Sequence, residues 1–151
     1  MTKLATLLAN IEGFIAKVFD TYLTPAILIT EKIKAAIDSP IVDEIDSLIP
    51  GNFAKPIVLV LRDAVGVALE ELLGLLNIEE QATPQARLQA FVDFLKNQPK
   101  IIQSGLYQNF SASITNAALA AKGSSVLPAS HMNAAVTAKY ADMKASGTVG
   151  K

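Results

Sequence analysis

The residues best suited to chemistry in this sequence are a single histidine, His131, and a few clustered carboxylates. A carboxylate-bridged di-metal centre in a helical protein needs Glu-x-x-His pairs on facing helices, and no glutamate stands three residues before His131. The acidic group Asp43, Glu44 and Asp46 lacks the order of ligands that a calcium-binding loop requires. The chain has no cysteine, which excludes disulfides and thiolate metal ligands. We therefore predict no metal site and no cofactor.

Nucleophilic and acid–base catalysis are not indicated either. Ser130 and His131 are neighbours in the chain, which does not orient the imidazole as a base on the hydroxyl, and no G-x-S-x-G motif is present. Glu70 and Glu71 are also adjacent. Adjacent side chains on a helix point about 100° apart, so these two carboxylates cannot share a proton. The sequence predicts that the protein is not an enzyme.

The composition bounds the class of protein. The 151 residues fit one domain. Apolar residues make up 51% of the chain and charged residues 18%, which is enough to form a core and leave apolar surface for a partner. The net charge is −1, and the thirteen basic residues form no run. Nucleic acid is therefore not an expected partner.

The longest apolar stretch, residues 55–77, is the element around which we expect the others to pack. At 100° per residue, its charged positions share one side of a helix with two glycines: Lys55, Arg62, Asp63, Glu70, Glu71, Gly66 and Gly74. A glycine inside a helix costs ~0.5–1 kcal/mol relative to alanine. The stripe of Arg62, Gly66, Glu70 and Gly74 is therefore predicted to contact another helix of this chain or a neighbouring subunit.

Capping signals divide the rest of the chain into further helices. Thr24 and Pro25, Ser39 and Pro40, and Thr83 and Pro84 each combine an N-cap residue with a proline suited to the first helical position. The first four predicted helices cover residues 2–22, 25–37, 41–49 and 55–77. A fifth begins at Pro84 and has an apolar face formed by Leu88, Phe91, Val92 and Leu95. A sixth begins at Pro99, ends at Gly123 and has an apolar face formed by Ile102, Leu106, Phe110, Ile114 and Ala117. We predict an all-α fold, a single-domain bundle of five or six helices around a central apolar helix, with a C-terminal arm.

The composition changes at Gly123. Residues 1–122 are predicted to form the bundle, and residues 123–151 a linker followed by a short helical arm. The arm is too poor in large apolar side chains to fold alone. Its thin apolar stripe, Met132, Val136, Tyr140 and Met143, is predicted to bind a partner.

Membrane contact is possible from the sequence but less favoured. Residues 57–76 have the length of a span, ~20 residues, yet their four charges would each cost ~2.5–3.5 kcal/mol on insertion. The first predicted helix is amphipathic, but two carboxylates offset Lys3 and Lys17, whereas an interfacial helix usually has a basic excess. The apolar run at residues 4–9 is too short for a secretory signal. We expect a soluble protein in the cytoplasm or in a particle.

These observations predict a non-catalytic structural or interaction protein. It would be a subunit of a larger homo- or hetero-oligomeric assembly and would dock on other protein subunits partly through its C-terminal arm. The composition suits a small helical subunit of a viral or phage particle. Two alternatives remain open: a membrane-active, holin-like or pore-like helical protein, and a carrier of a small apolar ligand between its helices.

Overall fold

The computed structural model describes residues 13–37, 45–49, 53–123 and 129–149. Within these ranges all regular structure is helical, and the predicted all-α bundle is confirmed. The helices are α1 (Gly13–Ala35), α2 (Ile45–Leu48), α3 (Lys55–Leu75), α4 (Pro84–Lys96), α5 (Lys100–Ala121) and α6 (Ala129–Ala145).

Two helices form the centre of the bundle. The apolar helix α3 packs along α5 and α4 and touches α1 and α2. The other helix, α5, packs along both α3 and α1 and also carries α6. Phe110 of α5 is completely buried, and its ring lies against Phe91 of α4 with centroids 5.1 Å apart. A single apolar core therefore joins all the elements.

Local signals set the ends of α3 as the sequence predicts. The helix begins at Lys55 with Pro56 in its first turn. It ends where Asn77 adopts the left-handed conformation, with φ of 57°. The backbone N–H of Asn77 donates to the carbonyl of Gly74 (3.2 Å), and that of Ile78 donates to Leu73 (2.9 Å). This is the Schellman pattern, in which asparagine is one of the few residues that tolerate the required φ.

The predicted starts of α4 and α5 and the predicted end of α5 are also confirmed. Thr83 caps α4, since its hydroxyl oxygen accepts from the N–H of Ala86 at 3.1 Å. Gly123, with φ of 70°, follows the last turn of α5. The predicted core positions of α4 are all buried, and so are Leu106, Phe110 and Ile114 of α5. Ile102 is not part of the core, because it is 47% exposed.

The predicted helix boundary at Thr24 and Pro25 is wrong. One helix, α1, runs through Pro25. An interior proline costs a helix ~3 kcal/mol, whereas full burial of one large aliphatic side chain contributes ~1.5–3 kcal/mol. The buried positions of α1 continue on both sides of the proline: Tyr22, Leu23, Ala26, Ile27, Ile29, Thr30 and Ile33. Packing of this uninterrupted stripe outweighs the local stop signal.

Two predicted helix starts, at Thr2 and at Ser39, lie outside the described residues. Of the predicted helix at residues 41–49, the structure describes the turn α2 and the residue that follows it. Ile45, Leu48 and Ile49 are buried there, as their spacing predicts.

Candidate functional site

The stripe predicted on residues 55–77 lies on the solvent side of α3. We call this surface the outer face of α3, and it comprises Leu59, Arg62, Asp63, Gly66, Val67, Glu70 and Gly74. Leu59 and Val67 are each 44% exposed in the middle of the helix, whereas its opposite side is buried in the core. Arg62, Asp63 and Glu70 are exposed beside them. The outer face of α3 thus mixes apolar, charged and side-chain-free positions.

The two glycines of this face are not in contact with another described helix. A Cβ built on Gly66 or Gly74 would meet no neighbouring atom within 4 Å. The close approach predicted at these glycines is therefore not made by any part of the same chain that the structure describes. The other predicted alternative, contact with a neighbouring subunit, stays a prediction.

A shallow groove runs between the outer face of α3 and the start of α4. Its volume is about 650 Å³. Both signs of charge line it, with Arg62 and Arg87 against Asp63 and Glu70. The groove can therefore accept a partner whose charges alternate along its length.

The four arm residues predicted to bind a partner lie against this chain's own bundle. Met132, Val136 and Met143 are buried, and Tyr140 is partly buried against the same core. Their helix, α6, packs on α5 and α1. In this arrangement a partner could reach them only if α6 left the bundle, so their role in partner binding stays a prediction.

A cleft of about 250 Å³ lies where α1, α5 and α6 meet. Its walls combine the buried Ile27 and Val136 with the rings of Tyr107 and Tyr140. This cleft was not predicted from the sequence, because its lining comes from three helices that are far apart in the chain. The signal that was available is Thr30, a polar residue within the apolar stripe of α1.

The floor of the cleft carries two buried hydroxyl groups, those of Thr30 and Ser111, whose oxygens are 2.7 Å apart. Thr30 also donates to the carbonyl of Ala26 at 3.0 Å. Since a hydroxyl has one proton, Ser111 must be the donor in the pair. Both hydroxyl protons are therefore engaged in hydrogen bonds. The pair links α1 to α5, and neither hydroxyl is an activated nucleophile.

Lys34 occupies the mouth of the cleft. Its Nζ lies 2.9 Å from Glu31 Oε1 and 3.2 Å from the hydroxyl of Tyr140. The ammonium also faces the rings of Tyr140 and Tyr107, with centroids at 5.0 and 5.6 Å. Burial alone would lower the pKa of Lys34, but the hydrogen bonds to Glu31 and Tyr140 and the charge of Glu31 outweigh it, so its pKa is raised. Lys34 therefore stays positively charged throughout the neutral range.

The arm forms the third wall of the cleft and is held there by polar contacts. The side-chain amide of Gln108 on α5 donates to the backbone carbonyl of Asn133 at 2.8 Å and contacts the hydroxyl of Thr137. The Thr137 hydroxyl itself donates to the same carbonyl at 2.9 Å. The cleft consequently exists only while α6 is docked.

Two features are absent from the described residues. No three or more histidine, cysteine or acidic side chains converge there in a way that could hold a metal ion. No described helix combines the length and apolar character needed to cross a bilayer. His131, which was weighed above as a metal ligand and as a catalytic base, is exposed on α6.

Comparisons with protein-family models, with curated proteins and with solved structures found no match to this chain.

Proposed function

We propose that this chain is a non-catalytic interaction protein, a subunit of a larger protein assembly, and that it binds a second copy of itself through the outer face of α3. The observation that supports this is the combination of exposed Leu59 and Val67 with two open helical glycines. In an isolated chain the glycines lower the stability of the helix, and the two exposed side chains gain no free energy of burial. Burial against a second helix would offset both costs.

The spacing along this face suits a close crossing of two antiparallel helices. Packed helix axes usually lie 8–10 Å apart, depending on the side chains at the contact. Gly66 has no side chain at the middle of the face, so two copies could cross closest there. Leu59 is seven residues before Gly66, and Gly74 is eight after it. In a two-fold pair centred on Gly66, Leu59 of each copy would lie over the open space at Gly74 of the other.

The charged residues on the outer face of α3 are self-complementary under the same two-fold symmetry. Arg62 and Glu70 are each four residues from Gly66, in opposite directions, and both are exposed. A two-fold interface places residue i against residue j and j against i. Arg62 of each copy would therefore face Glu70 of the other, which gives two ion pairs. Such exposed pairs contribute only ~0.2–1 kcal/mol each, so they would fix the register while the apolar contacts supply the affinity.

Charge reversal tests this arrangement. Glu70→Arg would place like charges opposite each other twice, and we expect it to weaken self-association about tenfold, since 1.4 kcal/mol corresponds to a factor of ten. The double variant Arg62→Glu with Glu70→Arg exchanges the two charges and should restore association. Sedimentation velocity over a range of protein concentrations measures both.

Glu80→Arg is the matched control, because it makes the same change of charge at an exposed position outside the outer face of α3. It should associate like the unmodified chain. The proposal is contradicted if the unmodified chain stays monomeric at high concentration, or if Glu70→Arg and Glu80→Arg behave alike.

A viral or phage particle is the kind of larger assembly that we propose on the basis of composition. The arm would take part through the same residues that now hold it on its own bundle. A neighbouring copy offers an identical surface between α1 and α5, so exchange of α6 between copies would preserve the contacts of Met132, Val136 and Met143.

A further inference from the structure

The cleft between α1, α5 and α6 continues into a second cavity. The two share Lys34, Ser104 and Tyr107 as lining residues. The outer cavity has a volume of about 520 Å³ and is bordered by Lys34, Lys96 and Lys100. None of the described residues that line this outer cavity is acidic. We call the two together the joined cleft.

The two ends of the joined cleft differ in character. The inner end is walled by aliphatic and aromatic groups, and its 250 Å³ corresponds to about eight water-sized groups at roughly 30 Å³ each. The outer end carries three positive charges. The one carboxylate at the inner end, Glu31, is already paired with Lys34 at 2.9 Å. The lining side chains therefore carry a net charge of +2, and the local potential favours an anion.

We propose that the joined cleft binds a small amphipathic carboxylate with a hydrocarbon body of about eight carbon atoms. The hydrocarbon lies between Ile27, Val136 and the two tyrosine rings, and the carboxylate lies at the outer end near Lys34 and Lys100. This inference does not rest on the proposed self-association surface, since no residue of the outer face of α3 lines the joined cleft.

Lys34 provides the specific contact. An ammonium group has three N–H donors. In the structure one is directed to Glu31 and one to the Tyr140 hydroxyl, which leaves the third to donate to the ligand's carboxylate. A hydrogen bond between two charged groups is among the stronger polar interactions in proteins. The ring of Tyr140 also holds the ammonium at the boundary between the two cavities.

Octanoate is the probe that tests this proposal, by isothermal titration calorimetry on the full chain. We expect saturable binding with a Kd below about 1 mM. Lys34→Gln should weaken binding at least about tenfold, because it removes a charge-assisted hydrogen bond. Lys100→Gln, an exposed position that should not affect folding, should weaken binding as well. Lys55→Gln, which removes another exposed lysine from the start of a helix, α3, should bind octanoate like the unmodified chain.

Two further measurements distinguish binding of the free carboxylate from binding of an uncharged hydrocarbon chain and from binding of a membrane surface. Octanol, which has the same chain length without the charge, should bind more weakly than octanoate. Vesicles of phosphatidylcholine doped with oleate present the same carboxylate on a membrane and should not co-sediment the protein. The proposal is overturned if octanoate does not bind, if Lys34→Gln and Lys100→Gln bind it as well as Lys55→Gln does, or if the protein binds only the vesicles.

Discussion

Replacing Phe110 with alanine should lower the free energy of unfolding by about 3–5 kcal/mol. The side chain is completely buried on α5, one of the two central helices, and its ring lies against Phe91 at 5.1 Å with an interplanar angle of 46°. The substitution removes the ring, the contact with Phe91 and the link between α4 and α5 that this contact provides. Urea denaturation followed by circular dichroism measures the change.

Ile101→Ala is the control for this experiment. It truncates a large apolar side chain on the same helix, but one that is 81% exposed. Its effect should lie within about 0.5 kcal/mol of zero. A loss below about 1.5 kcal/mol for Phe110→Ala would mean that the Phe110 ring is not packed in the core in solution as described, since truncation of a well-packed phenylalanine costs about twice that or more.

Replacing Met132 with alanine should cost about 2–5 kcal/mol, the usual range for a fully buried methionine. Met132 is completely buried, and its helix, α6, contacts the described part of the bundle mainly through α5 and α1. The loss should therefore appear first as undocking of α6 and only then as global unfolding. Hydrogen exchange of the α6 amides measures the first step, and urea denaturation measures the second.

Lys144→Ala on the exposed side of α6 provides the comparison. It should leave both the exchange rates and the unfolding free energy nearly unchanged. If Met132→Ala also changes neither, the arm does not rest on its own bundle in solution, and the contacts of Met132 must be made elsewhere. The same data thus decide between a docked arm and an arm that is available to a neighbouring subunit.

The parts of the fold that could be predicted are those determined by neighbouring residues. Thr83 caps α4 through a bond to an amide three residues away, and Asn77 ends α3 through its own backbone conformation. The apolar spacing of α4 predicts its buried face for the same reason. Pro25 shows where this reasoning fails: its local effect is to end a helix, but the burial of α1 against α5 is a non-local interaction and is stronger.

The candidate sites also differ in whether local or non-local contacts determine them. The stripe on α3 repeats every four residues along one helix, so its position on a single face could be predicted from spacing alone. The joined cleft could not, because the hydroxyls of Thr30 and Ser111 are 81 residues apart in the chain. The apolar stripe of the arm was recognisable as a contact surface. What it contacts depends on the path of the chain after Gly123, which spacing does not encode.

The most direct test of self-association through the outer face of α3 is disulfide formation at Val67. The chain has no cysteine, so a single introduced thiol is the only one present. Val67 is next to Gly66, which we place at the crossing point, and cysteine is close to valine in size. A disulfide requires Cα atoms no more than about 7 Å apart. A crossing at Gly66 would hold the two Val67 positions within a small motion of that distance, whereas separate chains reach it only by collision.

Ala141→Cys, at an exposed position on α6, reports the rate of random collision. Both variants are oxidised under the same mild conditions, and the covalent dimer is measured on a non-reducing gel over time. We predict that Val67→Cys forms the dimer much faster than Ala141→Cys and that adding Glu70→Arg slows it. Equal rates for the two cysteine variants, or no dimer at Val67→Cys, would contradict the proposed interface.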